Sequence, residues 1–393
     1  MPEKASGELT AAWCELRNKA RIYWLVRYQR RPLPRDATLG ALVARVYERE
    51  AETAPFSLER LGIDFVNAAW RRAGPPRGLL VADATLPEES LALLHSGLGM
   101  AASRRLLRPL AAGAPAAELA ARMTEFLELV HANARPEFAP VAIEAAGIMV
   151  RMFHPRLKDR VARWMRDARP DLEGFYWHGV GRATYFLPAS SVPRPGALRR
   201  SLAVCRREPP DASTRLDALA GLAFAVAMIN WHQPWLIERL FRLLVEHPDA
   251  TRWARSAAAG QARQAAGAER FGGTGDAARC GGADETEAFA SGVAACIIAR
   301  QLTLALPAGP PVLSYTPPEA AGPRLAELWE SRVRLPCAAA LAHALPHLAA
   351  RRELGRLARF VPLAPLLAAA QAPLLAAAQP PPAAAAAAAS GRS

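Results

Sequence analysis

Two apolar stretches, Ala218–Trp231 and Ala288–Ile298, constrain this chain more than any other feature. Each falls short of the roughly 20 residues that cross a bilayer, so each reads as a helix buried by the rest of the chain. Ala is the commonest residue in both, and no long alternation of Val, Ile and Thr occurs anywhere. Of the 393 residues, 51% are hydrophobic but only 7% aromatic, and Ala and Leu carry the difference. Those two residues lose little on entering a helix. The expected fold class is all-α.

Proline and glycine divide the helices at steady intervals. Leu119, Met123, Phe126, Leu127 and Val130 recur at helical spacing, and Val141–Phe153 is apolar apart from Glu144 and Arg151. After Pro155, Leu157, Val161, Trp164 and Met165 share one face. The grammar returns after Pro234 with Leu236, Leu240, Phe241 and Leu244. PRLKDRVAR from Pro155 aligns with PWLIERLFR from Pro234, and PHLAARREL from Pro346 is a weaker third copy. A glycine-centred segment precedes each: HSGLGMA, WHGVGRA and ASGVAAC. The separations Gly97 to Pro155, Gly179 to Pro234 and Gly292 to Pro346 are 58, 55 and 54 residues. That spacing predicts a tandem, solenoid-like helical repeat of about three units.

The organisation expected from this is a helical N-terminal segment over 1–85, made of short helices broken by proline. A repeat domain follows over 86–360, with a mobile Gly/Ala-rich loop at 257–285. An Ala/Pro-rich tail closes the chain over 361–393, its last stretch, Pro380–Ser393, reading as disordered.

The formal charge of +13 is carried almost wholly by arginine, since Lys4, Lys19 and Lys158 are the only lysines. The arginines are spread along helices instead of forming one dense stripe, which argues against nucleic acid. GC-rich codon usage accounts for part of the excess, and an acidic protein partner is equally compatible. Ala20–Arg31 is basic and aromatic: it suits a membrane surface or a docking partner, or else a solvent-edge helix with its aromatics in the core. Five scattered cysteines without a CxxC pair make neither a disulfide framework nor a zinc knuckle. Met1–Leu16 mixes charges among its apolar residues, unlike a signal peptide, so the expected compartment is the cytoplasm.

The usual catalytic constellations do not assemble. There is no GxxxxGK[ST] loop, no GxSxG elbow and no HExxH helix, and Thr184 stands where a third glycine would complete a dinucleotide turn from Gly179. His343 and His347 alone make a poor metal pair, so no metal or cofactor is expected. The richest segment is Gly174–Pro188, GFYWHGVGRATYFLP. One reading lines a ligand pocket with Tyr176, Trp177, His178 and Arg182, His178 serving as the acid–base group and Arg182 holding a carboxylate or phosphopantetheine. The other makes it a glycine-packed core helix whose polar tips bond to backbone. Glu144, alone in an apolar run, needs a buried partner, with Arg151 and Arg182 as the candidates. Asp217 is expected to cap the helix that follows it.

LLHSGLGMA at Leu93–Ala101, FYWHGVGRATYFLP at Phe175–Pro188, LAGLAFAVAMINWHQPWLIERL at Leu219–Leu240 and AFASGVAACIIAR at Ala288–Arg300 form an ordered set. In these motifs the chain resembles an uncharacterised bacterial family found with enediyne and related polyketide gene clusters, over roughly Leu80–Leu306. The resemblance implies a pathway association and transfers no catalytic residue. The repeat-built helical core, the missing catalytic set and the basic surface then make the expected function that of an accessory, non-catalytic protein that binds an apolar polyene intermediate, the polyketide synthase, or its acidic carrier protein. A tailoring enzyme acting through His178, and a scaffold or membrane-edge adaptor, are the alternatives.

Overall fold

The computed structural model describes residues 2–28, 37–81, 83, 85–187, 196–247, 284–304 and 309–378, and no strand occurs among them. The protein is all-α. Three helices open it: α1 (Pro2–Tyr28), α2 (Leu39–Glu50) and α3 (Ala54–Ala73). Then come α4 (Glu88–Leu107), α5 (Ala116–Asn133), α6 (Ala139–Phe153), α7 (Lys158–Ala168) and α8 (Pro170–Thr184). They are followed by α9 (Ala197–Arg207), α10 (Ala212–Ile229), α11 (Pro234–Glu246) and α12 (Glu285–Leu304).

Two kinds of helix alternate, and the sequence dictates which is which. Helices α3, α4, α6, α8, α10 and α12 pack side by side in that order, while α5, α7, α9 and α11 lie against them from outside. The outer α7, α9 and α11 are amphipathic, with one apolar stripe such as Leu236, Ile237, Leu240, Phe241 and Leu244 turned inward. The inner α10 is buried on every side from Thr214 to Ile229, as a helix without a polar face must be. Helices α10 and α12 have the length and apolarity of a membrane span, yet 89% and 72% of their windows are buried inside the chain. The row curves enough that α12 returns to touch α3 and α4, where the Thr303 hydroxyl donates to the Glu89 carbonyl at 3.5 Å.

Gly97, Gly179 and Gly292 all fall on inner helices, and Pro155 and Pro234 each open the turn that starts an outer one. Pro346 does not. It lies inside a rod of α-helical segments Pro323–Trp329, Leu335–Ala339 and Leu345–Ala350 joined by π-turns at Glu330–Arg334 and Ala340–Ala344. Pro336 and Pro346 each follow a π-turn, whose wider helix absorbs the missing N–H and the ring's clash with the preceding carbonyl. The contacts therefore do not establish three equivalent units. Glycines also sit on α3, α6 and α10 (Gly62, Gly147 and Gly221), so close helix contacts recur at every inner helix.

Other expectations are revised by packing. One core cluster runs from Leu39 to Leu366, so residue 85 is not a structural boundary. The N-terminal segment contains the 27-residue α1, and α3 is part of the inner row. Tyr23 and Trp24, expected in the core, are each 59% exposed, because Ala11, Ala12, Glu15, Lys19 and Ile22 supply the face of α1 that packs. Val361, Leu363, Leu366 and Ala370 are buried at the start of α13 (Leu363–Ala378), so the tail begins later than residue 361. The expected loop at 257–285 lies outside the described residues except for Asp284 and Glu285, where α12 starts; Pro380–Ser393 lies outside them entirely. Asp211, not Asp217, caps α10, its side chain accepting from the Thr214 N–H at 2.9 Å. Asp217 lies one turn in and accepts from the Phe360 N–H.

Candidate functional site

Helices α6 and α8 approach so closely that neither tolerates a side chain at the crossing. A Cβ on Gly179 would collide with the Glu144 carbonyl, and one on Gly147 with the Tyr176 carbonyl. The same reciprocity joins α8 to α10, through Gly181 against Ala218 and Gly221 against His178. Only glycine permits this spacing. Its consequence is chemical, because it sets Glu144 on α6 beside His178 and Arg182 on α8.

His178 Nδ1 lies 2.7 Å from Glu144 Oε1, and Arg182 Nη1 lies 3.0 and 2.9 Å from the two carboxylate oxygens. Burial alone would push the Glu144 carboxyl up, but Arg182 and His178 outweigh it and hold the group below its ordinary value. An ionised carboxylate only accepts, so Nδ1 carries the hydrogen. That leaves Nε2 buried and without a partner among the described residues. Phe224 closes the cluster, 4.5 Å from the guanidinium carbon and edge-on to the imidazole.

Beside this cluster opens a cavity of about 1310 Å³, bounded by α1, α3, α4, α6, α8 and α10. Phe56, Ile63, Met100, Ile148, Met149 and Met228 supply much of its apolar wall. Arg182 reaches that wall and Glu59 of α3 joins it. The Ser96 hydroxyl donates to Glu59 Oε1 at 2.6 Å. Burial raises the Glu59 carboxyl above its ordinary value despite the pull of Arg182 and Ser96.

The expected site residues divide between two places. Glu144, His178 and Arg182 come together, and only Arg182 faces the cavity. Tyr176 and Trp177 do not join them. Tyr176 is fully buried and donates to the Lys158 carbonyl at 2.9 Å, while Trp177 Nε1 donates to Glu173 at 3.3 Å. Both rings belong to the core between α7 and α8, because their positions on α8 point away from the cavity-lining Arg182 and Phe186. Arg151, the other partner expected for Glu144, bonds Glu208 instead at 2.9 Å. His95 is structural: Nδ1 donates to the Leu91 carbonyl at 2.6 Å and Nε2 accepts from the Arg135 N–H at 3.0 Å.

No family model, no curated protein and no solved structure matches this chain. Among the described residues no group of three or more His, Cys, Asp or Glu could hold a metal ion. The buried Cys205 and Cys296 thiols are pushed up to about 12 by burial, which disfavours the nucleophilic thiolate. What the site offers is a large apolar volume that presents Arg182 and Glu59 beside the buried cluster, with further charged side chains elsewhere in its wall. Glu59, Ser96 and Phe224 were not singled out from sequence. A signal existed for Glu59, since Glu59-Arg-Leu-Gly62 repeats the Glu-x-x-Gly spacing of Glu144-Ala-Ala-Gly147.

Proposed function

We propose that this chain is a non-catalytic, ligand-holding accessory protein of specialised-metabolite biosynthesis, acting in the cytoplasm on a long, apolar, polyene-like polyketide intermediate. The cavity carries the reading. Its volume of about 1310 Å³ exceeds the roughly 300–1,000 Å³ of ordinary small-molecule pockets. Met100, Met149, Met152 and Met228 in its wall suit an irregular apolar guest, because the thioether chain adapts its shape. The motif resemblance to the enediyne-associated family supports the pathway. The basic balance of +13 supports delivery by an acidic carrier protein.

The tailoring-enzyme reading has less behind it. His178 is 1% exposed and absent from the cavity wall, so a guest would not reach its free nitrogen.

Diphenylhexatriene, a neutral fluorescent polyene, tests the holding role. Its fluorescence is expected to rise saturably at one site per chain. Met149→Trp and Met228→Trp, which fill the cavity from two walls, are expected to abolish the rise while helical circular dichroism persists. A non-saturable signal, or full binding by both folded variants, overturns the proposal. Native mass spectrometry of protein from its producing cells then identifies the guest.

A further inference from the structure

The charges around the cavity are unevenly spent. Seven cationic side chains and two carboxylates line it. Deep in the wall the cations are matched: Arg182 with Glu144, Lys19 with Glu15 at 3.9 Å, and Arg60 with Asp64 at 2.7 Å. At the mouth they are not. Arg71 ends α3 and Arg104, Arg105 and Arg108 end α4; all four are exposed, and none forms an ion pair with an acidic side chain among the described residues. Arg105 stacks on Trp70, 4.9 Å from the ring centroid. Tyr23 and Phe153, 59% and 60% exposed, complete the mouth beside them.

Last-turn arginines complement the carbonyl ends of their helices, which accounts for cations at these positions. It does not account for two helices ending at one cavity mouth with four unmatched guanidiniums. An apolar interior under such a mouth is complementary to an amphiphile. Guanidinium is the side chain best suited to grip a carboxylate or phosphate, through paired N–H donors. Each cation of the interior wall already faces a carboxylate, whereas those of the mouth face none among the described residues, so the head stays outside.

Resting on the holding role proposed above, we infer that the guest is an anion-headed amphiphile, its chain in the cavity and its carboxylate or phosphate on Arg71, Arg104 and Arg108 at the mouth. Arg182 and Glu59 then meet the inner end of the chain, where a neutral oxygen function would accept from one and bond the other.

Displacement of bound diphenylhexatriene by four twelve-carbon ligands tests this: dodecyl phosphate, dodecanoate, dodecanol and dodecyltrimethylammonium. The two anions are expected to displace it at concentrations at least tenfold lower than dodecanol, with the cation weakest, and raised salt is expected to narrow the gap. The exposed double variant Arg104→Ala/Arg108→Ala is expected to bring the anions to the level of dodecanol. The pair Arg156→Ala/Arg163→Ala, which removes the same charge from exposed positions in the turn before α7 and on α7 itself, is expected to keep the preference. Equal displacement by dodecanol, failure of all four, or a preference that survives in the mouth variant overturns the inference while leaving the holding role intact. If the polyene itself does not bind, the holding role falls first.

Discussion

Arg182 reaches both oxygens of Glu144 through a single nitrogen, Nη1, at 3.0 and 2.9 Å. Its Nε and Nη2 make no hydrogen bond among the described residues, although the guanidinium lies in the cavity wall. A buried carboxylate thus fixes one edge of the arginine and leaves the other edge for whatever enters.

Glu144→Gln removes the charge that compensates Arg182. Breaking one side of a buried pair typically costs about 3–5 kcal/mol, so this variant is expected to lose stability on that scale in urea denaturation. The double variant Glu144→Gln/Arg182→Met is expected to cost less than the sum of its two single changes. Simple additivity would show that the pair is not coupled.

Gly179→Ala is expected to destabilise by about 1–3 kcal/mol or more, because the new methyl meets the Glu144 carbonyl and overpacking of a fitted interior costs this much. Gly113 has nothing within 4 Å of its would-be Cβ, so Gly113→Ala is expected to be neutral or mildly stabilising. Thermal melts of the two variants side by side decide the matter.

Burial pushes His95 down to about 4, and Arg135 adds to that against the help of the Leu91 carbonyl. The geometry agrees, since protonating Nε2 would destroy its bond from the Arg135 N–H. The native state therefore keeps a neutral ring while the unfolded chain takes up a proton near its ordinary value of 6.5. Stability from this group is full above about pH 6.5 and falls as pH drops toward 4, by a total on the order of 3 kcal/mol. His95→Gln should flatten that part of the stability–pH curve; an unchanged slope would refute the assignment.

Cys205, Cys296 and Cys337 are buried, and burial raises all three thiols. In the folded protein at pH 8 a thiol reagent is expected to label Cys14, which is only half-buried, well before these three. Peptide mapping by mass spectrometry reads the order. Early modification of Cys296 would mean that α12 opens far more readily than its packing implies.

Much of the fold was legible because it rests on short-range patterns. The apolar runs in α10 and α12, the stripes on α7 and α11, and the prolines at residues 155 and 234 each act within a turn or two of helix. What escaped was long-range. Asp211 rather than Asp217 caps α10 because the chain turns at Pro209-Pro210, and Asp217 is claimed by a backbone amide at Phe360. Tyr176, Trp177, His178 and Arg182 form one short segment, but a helix turns about 100° per residue. Neighbours in that segment accordingly serve α7, α6 and the cavity in turn. Glu144 was recognised as needing a partner, yet its choice of Arg182 over Arg151 was set by the glycine contact between α6 and α8. The mouth arginines were visible only as scattered charge until α3 and α4 ended at the same place.

The glycine contacts also make the cavity lopsided in its tolerance of change. On the side of α4, α6, α8 and α10 the main chains bear on one another directly, through Gly99, Gly147, Gly179, Gly181 and Gly221. On the opposite side α1 is held, among the described residues, by side chains alone, by the small apolar face of Ala11, Ala12 and Ile22 and by polar bonds, with the Asn18 amide donating to Asn230 and Gln233 and Arg239 donating to Glu15. A lineage of such proteins could widen or lengthen its guest by respacing α1 with a few polar substitutions, whereas the opposite wall would accept almost none. Under the holding role proposed above, variation in the guest is expected to be written in α1.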